Sequence, residues 1–480
     1  MRLKRVVRLY SAALALLFLV VVVPGVALGA TEQAKRLAIN KGLAYLAGSM
    51  TTSGSEGYWS YVNNGTLAAT ASAALAFIEE GFLPGQNVII DVDGAGPGLP
   101  VNYGNVVGKA ANYIFNRATA DGRFTSVGPG GKETAGYTRY AEDYNNNGIL
   151  DDGGNNQAIF FSPSSASRNV YTTGIVAPVV RALGQALGPN TVVGRGSVTG
   201  TMTYRQVMQD VMDWYSWGQV EPNMGSYRGG WRYDANSLES DNSTAQWGAL
   251  PILYANAWGL GVPQYVKTEL EMWTNVVQNA NGGSGYTNTG DYVNVSKTGG
   301  LMLEFAAIGY DVSNTDVQAA MGFINSRWNT GPSGTWYGNL NQPYAMWAIY
   351  KAMEVYGFSA MDNNGTPLDP ADDFLIGFGM GNAPGGLTIG QDWDPKTSLP
   401  GDWYSHYCDY LVSIQNTTTG GWAGYSYWTG ALATGWYINI LNAAGAPPPV
   451  TDIPEPLTVV GLATGIGCLA GYIRRRRGRS

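Results

Sequence analysis

Two cysteines and one histidine in 480 residues leave little room for several kinds of chemistry. Cys468 lies in an apolar stretch near the C-terminus and Cys408 in the body of the chain, so the pair does not make a disulfide scaffold. The lone histidine, His406, sits two residues before Cys408 and three before Asp409. On a helix, positions i and i+2 point about 200° apart, so this cluster does not readily chelate one zinc ion. The plainer reading makes His406 a surface residue at a helix start and Cys408 a buried thiol. Basic residues are also outnumbered, 28 against 35, for a net charge of −7. Nine of those 28 lie in the two ends, so the body between them is more acidic still. Such a surface repels a phosphate backbone and excludes nucleic acid as an expected partner.

The ends carry what the body lacks. Arg2, Lys4, Arg5 and Arg8 precede an unbroken apolar run over residues 12–23, and small residues follow at Ala27, Gly29 and Ala30. That order predicts a signal peptide over residues 1–30, cut by a signal peptidase after Gly29 or Ala30. At the other end, residues 446–456 hold the stiff run Pro447-Pro448-Pro449 and then Pro454-Glu455-Pro456. An apolar stretch over residues 457–473 follows, expected to be a transmembrane helix near the lower length limit. Arg474, Arg475, Arg476, Arg477 and Arg479 make residues 474–480 a basic tail expected to stay cytoplasmic. These three parts together resemble the PEP-CTERM sorting signal. The resemblance implies an exosortase-type membrane protease as partner and cleavage near Pro454 to Pro456. Transient anchoring in the inner membrane and release to the cell surface or extracellular matrix would follow. A plain C-terminal anchor with a basic stop-transfer sequence is the simpler alternative.

Residues 31–445 are organised by an internal repeat. Six segments each place a helical stretch, a Gly-rich loop with Trp or Tyr, and an Ala-rich helical stretch in that order. The third is the clearest: residues 204–217, then Gly229-Gly230-Trp231-Arg232-Tyr233, then residues 243–258. The others pair residues 38–46 with 68–75, 107–117 with 171–187, 266–278 with 297–309, 317–328 with 342–356, and 403–415 with 429–441. Apolar residues recur at helical spacing, as in Val211, Trp214 and Tyr215, while Gly and Asn cluster in the loops. Twelve helices in six hairpins predict an all-α fold, an (α/α)6 toroid, with an insertion over about residues 118–169 in the second hairpin.

Residues 410–415, ending in Gln415 and followed by Gly420-Gly421-Trp422, resemble the prenyltransferase and squalene-oxidase repeat with one extra loop residue. The resemblance implies a terpenoid cyclase-like toroid in which Gln caps backbone groups and Trp stacks beside it. It does not carry activity across. No Asp-x-Asp-Asp cyclase acid is present, Asp91-Val92-Asp93 being the nearest string, and no prenyltransferase zinc triad is present.

Two local segments bear on chemistry. Asp234, Glu239 and Asp241 follow the Trp231-Arg232-Tyr233 loop and are weak candidates for acid–base groups beside aromatic faces that could stack on sugar rings. The structural alternative makes Asp241 or Ser243 the N-cap of the next helix and pairs Arg232 with Asp234 or Asp241. Asp143, Asn145, Asn147, Ile149 and Asp151 match the first nine positions of a calcium loop, with Gly148 at the turn. Position twelve is Gly154, not Glu, so calcium competes with a solvated Asn/Gly loop. The resulting expectation is an exported, sorted surface or extracellular protein whose toroid is a binding or structural module, with envelope or matrix glycans as partners. The alternative is an enzyme of the same fold, either cyclase-like or acting on glycans as a hydrolase or lyase.

Overall fold

A computed structural model describes residues 30, 32–62, 65–90, 101–121, 133–134, 137–138, 158–162, 168–332, 336–356 and 403–442. The fold is largely helical: among these residues there are twelve α-helices and one 3₁₀ turn, with only short two-stranded pairings between them. In chain order the helices are α1 (Glu32–Ser49), α2 (Thr66–Glu79), α3 (Tyr103–Phe115), α4 (Asn169–Leu187), α5 (Tyr204–Gly218) and α6 (Asn242–Ala257). They continue with α7 (Gln264–Val277), α8 (Val295–Ile308), α9 (Thr315–Ser326), α10 (Pro343–Val355), α11 (Trp403–Ile414) and α12 (Gly430–Leu441). Every helix of the sequence pattern is present, displaced by a few residues at the ends, where caps set the start. Thr203 and Gln206 form a capping box on α5, and Asn294 accepts from the Lys297 amide at the head of α8.

Odd and even helices differ in how they are buried. In α7, Val266, Leu270, Trp273 and Val277 form a single buried stripe, so one face meets the core and the other meets water. In α2, every residue from Leu67 to Ile78 is buried, and in α8 every residue from Val295 to Ala307. A helix buried all round must have neighbours on all sides. The even helices supply these for one another: α2 packs on α4, α4 on α6, α6 on α8, α8 on α10, α10 on α12, and α12 on α2. The odd helices lie outside them, for example α5 against α4 and α6, and α1 against α12.

The loops between paired helices hold this order through one recurring set of bonds. Trp59, Trp231 and Trp422 donate their indole N–H to the carbonyls of Leu46, Tyr215 and Leu411 at 2.8, 2.9 and 2.8 Å. Each acceptor belongs to the last turn of an outer helix, where carbonyls lack an intrahelical partner. Gln219 Nε2 donates to Gly229 O (2.8 Å) and to Val266 O (3.0 Å), which joins the end of α5 to the start of α7. Gln415 does the same for α11 and α1, through Gly420 O at 2.7 Å and Ala38 O at 2.8 Å. In the third, fourth and sixth loops the first glycine is obligatory: Gly229, Gly282 and Gly420 hold φ 88°, 87° and 80°, and a Cβ added at Gly229 would lie 1.8 Å from the Glu269 carbonyl of the next outer helix. Threonines on the inner helices complete the set, Thr70, Thr298 and Thr434 accepting loop amides at 3.2, 3.0 and 3.1 Å.

One sequence expectation is corrected. Among the described residues no helix is long and apolar enough to cross a membrane, so the transmembrane helix and the transient inner-membrane anchoring have no support in this fold. The stretch expected to span, residues 457–473, lies outside the described residues, as do residues 1–29, Pro454, Glu455, Pro456 and the arginines from Arg474 to Arg477.

The clamp generates a stability prediction. Gln415→Ala removes both bonds and leaves the Gly420 carbonyl without its donor, while the Ala38 carbonyl keeps only its own helix's, a loss of about 1–3 kcal/mol in all. Urea unfolding should show a loss of that order, whereas Ser413→Ala on the exposed face of α11 should leave the midpoint unchanged.

Candidate functional site

The N-terminal ends of all six inner helices, with the loops leading into them, surround a cavity of about 920 Å³. Twelve of the 23 residues lining it are Trp or Tyr, which makes its wall mostly flat aromatic surface. These side chains come from the last loop residues and the first two turns of each inner helix, so the helix ends aim them inward.

Two arcs of the wall differ. Along α10 and α12, Tyr344 stacks on Trp428 with ring centres 5.1 Å apart, and Trp336 meets Trp428 edge-on at 5.3 Å. Behind them Trp347 packs between Trp247 (5.4 Å) and Trp436 (5.3 Å), all three rings stacked. Along α4, α6 and α8 the aromatics carry cations. Tyr171 stacks on Tyr233 at 5.7 Å, and the Tyr233 and Tyr286 hydroxyls are 3.0 Å apart. The Arg168 guanidinium lies 6.0 Å from the Tyr233 ring, and Lys297 Nζ lies 5.8 Å from the Tyr286 ring. Further hydroxyl bonds cross this arc: Tyr171 to Ser243 at 2.6 Å, and Tyr344 to the Ser243 carbonyl at 2.5 Å.

The lining holds two charged side chains, Arg168 and Lys297, and no carboxylate. Lys297 is 4% exposed and donates to the Tyr292 carbonyl at 2.6 Å. Burial pulls its ammonium down to about 7, only partly opposed by Asp241 and Asp291. Burial likewise pushes the phenols of Tyr171 and Tyr344 well above their usual range, so both stay neutral hydrogen-bonding groups. Glu304, fully buried on α8, is pushed well above the usual carboxylate range by desolvation and by Asp241.

The three carboxylates singled out in sequence are not part of the lining, although Asp241 lies close behind it, bonded to the Tyr286 side chain. Asp241 caps α6, accepting from the amides of Ser243 (2.9 Å) and Thr244 (3.1 Å), and pairs with Arg232 at 3.2 Å. Burial raises its carboxyl, opposed chiefly by the Ser243 hydroxyl and Arg232. Asp234 accepts from the Arg168 amide at 3.0 Å, and Glu239, with its side chain 54% exposed, lies 3.9 Å from Arg232. Trp231 is wholly buried as part of the loop clamp and presents no face to a ligand. His406 corrects a second expectation: it is 6% exposed, not a surface residue, because its Nδ1 accepts from the indole of Trp328 at 2.7 Å. Cys408 is buried as expected. Among the described residues no group of His, Cys, Asp or Glu is placed to hold a metal ion. The calcium-loop residues Asp143, Asn145, Asn147, Ile149 and Asp151 lie outside the described residues.

Most residues that line the cavity, among them Arg168, Tyr171, Lys297, Tyr344 and Trp436, were not singled out from the sequence, whereas Tyr233 and Ser243 were. A signal existed: in five of the six repeats an aromatic or basic residue follows the loop within the first two turns of the inner helix.

Lys297 gives a direct check on this environment. In a protein with ¹³C-methylated lysines, the resonance lost in the Lys297→Arg variant should titrate with a midpoint near 7, while surface lysines titrate near 10.5. A midpoint near 10 for that resonance would place the side chain in solvent. No protein-family model matches this chain and no curated protein matches it, so the functional reading rests on the cavity itself.

Proposed function

We propose that the six hairpins close into an (α/α)6 toroid that works as a saccharide-binding module, its site the aromatic cavity at the N-terminal mouth of the inner helices. The packing order supports closure: the last inner helix, α12, contacts both α10 and α2, and Gln415 bonds the end of α11 to α1. The observation that carries the binding reading is the cavity wall. Its volume, about 920 Å³, is within the range of small-molecule sites. Flat rings such as Trp428 and Tyr344 suit the apolar faces of pyranose rings. Hydroxyls on Tyr171, Tyr233, Tyr286 and Ser243 supply the polar partners that a sugar needs and a polyprenyl chain does not. This favours glycans over isoprenoids as ligands.

An acid–base enzyme fits less well. Hydrolysis of a glycosidic bond needs two carboxyl groups facing one substrate. Among the described residues no carboxyl group lines the cavity, and Asp234, Glu239 and Asp241 are engaged as backbone acceptors or ion pairs. The binding reading therefore stands first.

Glycan-array and polyprenyl binding, read out by intrinsic tryptophan fluorescence, separates the ligand classes. Saccharide binding with a fluorescence change is expected. Trp428→Ala should weaken it about three- to tenfold, the loss of one aromatic stack of roughly 0.5–1.5 kcal/mol. Binding of polyprenyl ligands alone would contradict the reading.

A further inference from the structure

We infer that the saccharide taken by this cavity is acidic, its anionic group set against Lys297 and Arg168 while its ring lies on the Trp428 and Tyr344 arc. The inference rests on the binding reading above and specifies its ligand. Three observations carry it.

The first is the sign of the lining. A chain with net charge −7 has walled this cavity with two basic side chains and no carboxylate. The nearby acids are held elsewhere, Asp241 by the head of α6 and Arg232, and Asp234 by the Arg168 amide. The second is the state of the cations. An ammonium has three donors, and Lys297 gives one to the Tyr292 carbonyl. Neither Lys297 nor Arg168 is in an ion pair among the described residues, and Lys297 is almost wholly buried. Burial of the Lys297 ammonium is costly and only partly offset by Asp241 and Asp291, and an anion arriving in the cavity lowers that cost further. The desolvation that draws the Lys297 proton off in the free protein would be offset on binding.

The third is how the cations are placed. Arg168 holds φ 79° immediately before α4, a backbone state uncommon for a residue with a side chain, and is fixed there by Asp234 and by the Val170 amide bonded to the Tyr233 carbonyl. Arg168 lies by the Tyr233 ring and Lys297 by the Tyr286 ring, whose hydroxyls are 3.0 Å apart, while Arg232, closer to both rings, is already paired with Asp241. Two cations beside two phenols form a patch suited to a carboxylate and its neighbouring hydroxyl.

The test is a panel of uronate trisaccharides of different linkage, each paired with its own carboxyl-reduced neutral form, titrated calorimetrically into the full protein. At least one acid should bind ten times tighter than its neutral partner or better. Lys297→Met, which keeps the length and apolar stem of the side chain, should bring that pair to parity. Arg168→Gln, at an exposed position, should narrow the gap as well and guards against a folding defect in the first variant. Neutral members binding as tightly as their acids would overturn this inference and leave the saccharide reading intact. Binding by no member of any pair would overturn both.

Discussion

The carbonyls at the end of each outer helix set the terms for the rest of this molecule. They face a loop, not water, and something in that loop must donate to them. Indole N–H groups of Trp59, Trp231 and Trp422 do so from three repeats, and the amides of Gln219 and Gln415 reach one helix further. Because one glutamine bonds both its own loop and the next outer helix, each hairpin is held at a fixed offset from the following one. The glycine at φ 88° in the third loop lets the backbones meet closely enough for that bond to form. Local capping chemistry thereby becomes a rule for joining one hairpin to the next.

The inner helices inherit a consequence. Buried along almost their whole length, they can expose polar chemistry only at their ends. At the N-terminal ends this produces the aromatic and cationic cavity. Toward the C-terminal ends of α2, α4 and α10, Glu79, Arg181, Lys351 and Glu354 interact in the core, where burial pushes the Glu354 carboxyl up to about 7 and pulls Lys351 down. The two ends thus differ in kind. One presents rings and hydroxyls to a cavity, and the other keeps its charges among themselves.

Much of this architecture was legible from spacing. Helical periodicity and Gly-rich loops place all twelve helices, because an amphipathic stripe and a glycine break are written in adjacent residues. The Gln415 and Trp422 clamp was also readable, since both partners lie in one short segment. The threonine acceptors were not, because Thr70 and Thr434 resemble any other small polar residue in an Ala-rich helix. The site was partly legible: of the two readings given to this stretch, the structural one, with Asp241 as an N-cap paired to Arg232, is what is found. Asp234 and Asp241 stand beside Tyr233 and Ser243, which line the cavity, so the right stretch was chosen. Sequence position does not give the direction of a side chain, and the helix head took the carboxylate while its neighbours turned inward. His406 was misplaced for a related reason: its partner, Trp328, is 78 residues away.

The central claim is that the cavity at the inner-helix N-termini is where this protein meets its ligand. A crystal structure of the full protein with the tightest-binding saccharide decides it most directly. The account predicts a sugar ring stacked on the Trp428 and Tyr344 arc with a charged group within hydrogen-bond reach of Lys297 Nζ. A saccharide bound on an outer surface, with this cavity unchanged, would contradict it.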